Sequence, residues 1–258
     1  QVVITPDRNL WSRSPVFEQE ANTTLSQGGA QRMALRAAPS IDKDGRNSTM
    51  PGYNADEGGL VNATGMGWFP GYAIDLETGE RLNIGYGENS FWGGTIGRDM
   101  KWNPNDQTYT TTGGAFFGGC HWIYVFKNER RLLNSATEVP QYDNGAFIRD
   151  LMQTNSTANR LKTFKSIAWV GSAMTIPGTE FLGTEVRITL GVRKPYERYI
   201  NYAGGPGDIG MDRNSGLPLY AFSTSGLERV ANDQATAKDA LELINIVPNP
   251  YYAYSGYE

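Results

Sequence analysis

Residues 122–126 read Trp-Ile-Tyr-Val-Phe, and no other five residues limit the possible folds as much. Successive side chains of a strand point to opposite sides. Trp122, Tyr124 and Phe126 therefore share one side, and Ile123 and Val125 share the other. Both sides are apolar, so residues 121–127 predict a strand whose sheet is covered on both faces. The same period recurs elsewhere. Residues 184–192 set Val186, Ile188, Leu190 and Val192 against Arg187, Thr189 and Gly191, which predicts a strand with one wet face. Residues 1–4, 67–75, 81–86 and 163–175 predict further strands, and 76–80 a turn with Gly79 where positive φ is wanted. Residues 12–29 have no sustained period and predict loop. Residues 30–37 alternate in part, with Met33 and Leu35 opposite Arg32 and Arg36.

Helical stripes are scarce. Residues 144–152 put Phe147, Ile148 and Leu151 on one side, and 233–243 carry Ala237, Ala240 and Leu241 behind a capping Asp233. The 31 glycines and 13 prolines break the remainder into short pieces. The fold expected is all-β: a β-sandwich with long loops and two short helices. One long loop spans 38–64. Residues 1–247 form the expected module, long enough for two subdomains.

Residues 248–258 differ in kind. Pro248 and Pro250 fix an extended exit from a preceding strand, and Tyr251, Tyr252 and Tyr254 follow at once. Tyrosine rings need a surface to pack on. The segment reads as an ordered junction into a C-terminal domain beyond this chain, with those five residues as interdomain contacts.

Several function classes are disfavoured. Net charge is −4 and the lysines and arginines are scattered, so no basic patch tracks a nucleic-acid backbone. No apolar run approaches the roughly 20 residues of a membrane helix. With Cys120 alone, no internal disulfide is possible.

Longer motifs carry a resemblance. Residues 64–83 read TGMGWFPGYAIDLETGERLN, followed by Gly87-Glu88-Asn89-Ser90, Gly97-Arg98-Asp99-Met100, Tyr142-Asp143-Asn144-Gly145 and Val192-Arg193-Lys194-Pro195-Tyr196. With the Pro-Asn-Pro-Tyr-Tyr junction, they resemble the region upstream of the sorting domain in large cell-surface proteins exported by the type IX secretion system of Bacteroidota. The resemblance implies an extracellular or outer-surface location and neighbouring domains or other surface proteins as partners. It transfers no catalytic residue.

Candidate chemistry is sparse. Asp42, Asp44 and Asn47 alternate oxygen-bearing side chains around Gly45, which suits a hard cation, with calcium as the candidate cofactor. The spacing departs from an EF-hand, since Gly45 comes fourth and Tyr53 stands at the glutamate position. The same residues also suit a solvated turn. Cys120 and His121, as strand neighbours on opposite faces, read as a packed thiol and a structural imidazole. Glu80, Glu88 and Asp99 are the carboxylates beside aromatic segments, where a glycoside hydrolase would need a facing pair. Trp68, Phe69, Trp92 and Trp102 are candidates for a saccharide platform. The favoured reading is a noncatalytic structural or interaction module. The alternatives are a carbohydrate-binding module with a polysaccharide partner and, behind it, a glycoside hydrolase-type domain.

Overall fold

The structure, a computed structural model, describes residues 1–58, 64–92, 94–111, 114–154, 156–191 and 238. The chain divides into two compact units, Gln1–Gly191 and Val192–Glu258. The expected boundary at 247/248, the helix at 233–243 and Pro248, Pro250, Tyr251, Tyr252 and Tyr254 all lie outside the described residues.

The strands are β1 (Val2–Ile4), β2 (Ser12–Glu18), β3 (Met66–Phe69), β4 (Gly71–Ile74), β5 (Arg81–Leu82), β6 (Ile84–Glu88), β7 (Thr108–Thr111), β8 (Gly114–Phe117), β9 (Trp122–Phe126), β10 (Ile167–Ser172) and β11 (Val186–Ile188). The helices are short: α1 (Ala55–Gly58), α2 (Gly94–Gly97), α3 (Glu129–Leu132), α4 (Ala146–Gln153) and α5 (Thr157–Lys165). A five-stranded sheet runs β10-β9-β6-β2-β3, a four-stranded sheet β11-β1-β4-β5, and β7-β8 form a separate hairpin. The unit is thus sheet-rich with a few short helices.

β9 behaves as its sequence demands. Ile123 and Val125 join Ile84 and Tyr86 in a cluster shared with Val2, Ala73 and Leu82 of the four-stranded sheet. Tyr124 and Phe126 point the other way, into a cluster with Phe17, Ile148 and Met152, against which Phe164 packs. One face is therefore covered by strands and the other by α4 and α5. Phe17 is fully buried and meets Tyr124, Phe126 and Phe164 edge-on, at centroid distances of 5.6, 6.3 and 5.1 Å.

The chain passes between the two sheets repeatedly. The predicted strand at 67–75 is two strands, split at Pro70, where the chain leaves the β2 partner for β1. Pro70 has no N–H to give a ladder. A second change falls at Asn83, between β5 and β6. Its buried amide donates to Pro140 and Gln141 carbonyls and accepts from the Asp143 and Gly145 N–H groups, so the corner is tied to the loop before α4. The hairpin turn at 76–80 is as expected, with Gly79 at φ 73°.

Three local expectations are corrected. Residues 12–18 are not loop: β2 is buried along its length and pairs in parallel with β6 and antiparallel with β3. Its polar side chains hid it, because they are buried by being paired. Ser12 donates to the Gly71 carbonyl, and Arg13 to the Gly67 and Ile41 carbonyls. The strand expected at 163–175 begins only at Ile167. Ser156 caps α5 through the Asn159 N–H, and the helix takes Thr163 and Phe164. β11 is shorter than 184–192, and Val186 is 47% and Leu190 49% exposed. It is an edge strand of its sheet, so its expected dry face is covered only in part.

Candidate functional site

Among the described residues, polar chemistry collects in a sealed acid–base cluster, in the 42–47 loop and in a recess beside that loop.

The sealed cluster centres on Arg36, whose side chain has no exposed surface. Residues 33–36 run beside β2, with Arg36 donating its N–H to the Val16 carbonyl. Arg36 Nη1 donates to Glu18 Oε2 at 2.7 Å and Ser90 Oγ at 2.7 Å. Nη2 donates to Gln27 Oε1 and the Gly97 carbonyl, both at 2.9 Å. Ser90 closes the ring by donating to Glu18 Oε2 at 2.6 Å. Glu88 is also fully buried, with Oε2 3.3 Å from Arg36 Nη2 but without a hydrogen-bond partner among the described residues. Its Oε1 accepts the Asp99 and Met100 N–H groups at 2.7 and 3.0 Å.

One guanidinium thus sits between two carboxylates, and Glu18 holds the aligned contact. Burial pushes Glu88 up to about 7, against the opposing pull of Arg36, and the Asp99 carboxyl beside it pushes the same way. Burial raises Asp99 too. His121 is fully buried next to this cluster. Its Nε2 donates to the Ile96 carbonyl at 2.8 Å, and burial lowers it to about 4, so the ring is neutral. Cys120 does not lie on β9. It precedes the strand at φ 64°, in a turn with Gly118 and Gly119, and its buried thiol contacts Asn89 Nδ2 at 3.7 Å. Burial raises the thiol, which keeps it protonated and a poor nucleophile.

The cluster was only half legible. Glu88 and Asp99 do come together, but Glu80 is elsewhere, paired with Arg131 and Asn128. Glu18 and Arg36 were missed. The one available signal was a lone acid and a lone base flanking apolar pairs, at Val16-Phe17-Glu18 and Ala34-Leu35-Arg36.

In the 42–47 loop, Asp42 is fully buried. Its Oδ1 accepts the Asp44 and Arg46 N–H groups at 2.9 and 2.8 Å, and Oδ2 accepts the Asn54 N–H at 3.0 Å. Asp44 pairs with Arg8 at 2.7 Å and Arg46 at 2.9 Å, and the Arg8 hydrogen bond holds its carboxyl below the ordinary range. Asn47 Oδ1 accepts from the N–H and hydroxyl of Thr49. Backbone N–H groups and two guanidinium groups fill the positions a calcium ion would need, so these residues do not fit the cation. They build the turn. Among the described residues no group of three or more His, Cys, Asp or Glu side chains suits a metal.

Beside the loop lies a recess of about 290 Å³, lined by Trp11, Lys43, Trp68, Lys101, Trp102 and Phe181 among others. The expected saccharide platform is brought together only in part. Trp68 and Trp102 line the recess. Phe69 is in the core, edge-on to Trp102 at 5.0 Å, and Trp92 meets Phe91 and Tyr109 edge-on in a separate group. All six tryptophans are buried or half-buried.

No protein-family model, curated protein or solved structure matches the chain. No helix among the described residues is long and apolar enough to cross a membrane.

Proposed function

We propose that the chain is a noncatalytic structural or interaction module of a large, exported cell-surface protein, with its two larger sheets forming a β-sandwich. The observation that supports this best is the sealing of its acidic chemistry. Glu18 and Glu88, the two carboxylates that flank Arg36, have no exposed surface, while Asp75 with Glu80 and Asp44 with Glu57 are each tied to one arginine, Arg131 and Arg8. General acid–base catalysis needs a proton donor within hydrogen-bond reach of a substrate. The groups around Arg36 face each other and the backbone instead.

In this reading residues 248–258 strap the module to its neighbour, through Pro248, Pro250, Tyr251, Tyr252 and Tyr254. Export by the type IX route rests on the resemblance of the 64–83 motif and that junction. Antibody raised against the folded unit 1–191 should label intact cells that carry the parent protein. Labelling only after permeabilisation would contradict the surface location.

A second reading, carbohydrate binding, is favoured by one observation: the recess gathers Trp11, Trp68, Trp102 and Phe181 around a space the size of a small ligand.

A further inference from the structure

We propose that the recess beside Trp68 binds a uronic-acid residue of an acidic polysaccharide, its carboxylate held between Lys43 and Lys101. This rests on the carbohydrate-binding reading and assigns the class of sugar.

The charge of the recess selects the ligand. Lys43 Nζ sits 4.5 Å from the centroid of the Trp68 ring, which fixes the ammonium at the wall. Lys101 crosses the turn at Gly45. A Cβ at Gly45 would fall 1.9 Å from Lys101 Cε and 2.6 Å from its Nζ, so the glycine is what lets the lysine lie there. Neither ammonium has an ion-pair contact among the described residues, although Lys101 acts at longer range on Asp99. Asp42 is the only acid among the described lining side chains, and its oxygens accept three backbone N–H groups. Arg13 lies 5.4 Å from the Trp68 ring, outside the lining, with its guanidinium donating to the Ile41 and Gly67 carbonyls. Burial lowers it to about 10, which leaves it protonated at neutral pH. A cationic ligand would be repelled. An uncharged apolar ligand would strip water from two ammonium groups and give nothing back, a cost a carboxylate removes.

Shape and polarity then point to a sugar. The volume sits at the small end of ligand sites, enough for one ring and little more. Trp102 and Phe181 stand 5.9 Å apart at 45°, and Phe181 is 39% exposed, so an apolar ring face at the mouth is open to stacking. Trp68 Nε1 is buried without a hydrogen-bond partner among the described residues, whereas Trp11 and Trp102 donate to the Thr5 and His121 carbonyls.

The test is calorimetric titration of the whole chain with trigalacturonate, neutral galactotriose and a sulfated galactan fragment. Trigalacturonate should bind at least about tenfold more tightly than galactotriose, and the gap should shrink with added salt. Lys43→Gln with Lys101→Gln should erase that gap while the melting temperature holds, since Lys101 is exposed and Lys43 half-exposed. Phe181→Ala should weaken both sugars. Equal binding of acidic and neutral sugars, no binding of trigalacturonate at millimolar concentration, or a preference for the sulfated fragment would each overturn the assignment. Release of reducing ends with the preference intact would leave the recess assigned and remove the noncatalytic reading. Absence of both binding and release would do the reverse.

Discussion

Replacing Glu88 with glutamine should make the protein's stability respond differently to pH. In the fold Glu88 holds its proton up to about 7, against an ordinary value of 4.5. The cause is geometric: every N–H of the two terminal Arg36 nitrogens is spent on Glu18, Ser90, Gln27 and Gly97, so Glu88 gains charge attraction without a directed bond. A carboxyl raised on folding stabilises the fold fully below its unfolded value. That stability is lost as pH rises through its folded value. The window is therefore pH 4.5 to 7. At about 1.4 kcal/mol per pH unit, the loss across it approaches about 3 kcal/mol. A glutamine side chain mimics the protonated acid and does not titrate, and its amide oxygen can still accept the Asp99 and Met100 N–H groups. The stability of Glu88→Gln relative to the parent should accordingly grow by up to about 3 kcal/mol between pH 4.5 and 8, or about 6–12 °C in melting temperature. Urea unfolding followed by tryptophan fluorescence at stepped pH measures this. Parallel curves for the two proteins would refute the reasoning, because they would mean that Glu88 is ionised throughout.

The neighbouring histidine should give the opposite slope. His121 is lowered from 6.5 to about 4 in the fold, so its contribution is lost as pH falls through that window, and His121→Gln should lose ground to the parent as pH rises from 4 to 6.5. Arg36→Met should cost about 3–5 kcal/mol at pH 8, read by the same unfolding assay, because it strands the buried Glu18 carboxylate. Gly67→Ala should destabilise the fold by more than about 2 kcal/mol, since its Cβ would fall 1.9 Å from the Tyr86 hydroxyl oxygen. Adding Tyr86→Phe should recover part of that loss, and no recovery would place the clash elsewhere.

What could be read from the chain follows from what a hydrophobic period measures. β9 is apolar on both sides and is covered on both sides, so its pattern and its place agree. β2 carries Ser12, Arg13, Ser14 and Glu18, which look solvated and are buried because specific partners satisfy them. Arg36 misleads in the same way: it alternates like a surface residue, and its partners Glu18 and Ser90 are 18 and 54 residues away. The start of β10 was misplaced because Thr163 and Phe164 favour strands as single residues, while the Ser156 cap and the contact of Phe164 with Phe17 hold them in α5. In the 42–47 loop the oxygen pattern was legible, but oxygens that wrap a cation and oxygens that accept turn N–H groups share one signature. Trp68 and Trp102 were legible as site candidates. Phe181 was not, because nothing local marks a residue that reaches the recess from nearly 80 positions away.

The most direct test of the central claim, that the carboxylates around Arg36 hold the fold and do not perform chemistry, is reducing-end release from a panel of neutral and acidic polysaccharides by the purified chain. The account predicts no release above that of the Glu88→Gln, Asp99→Asn double variant. Release by the parent chain that the double variant lacks, at equal folded fraction, would contradict it.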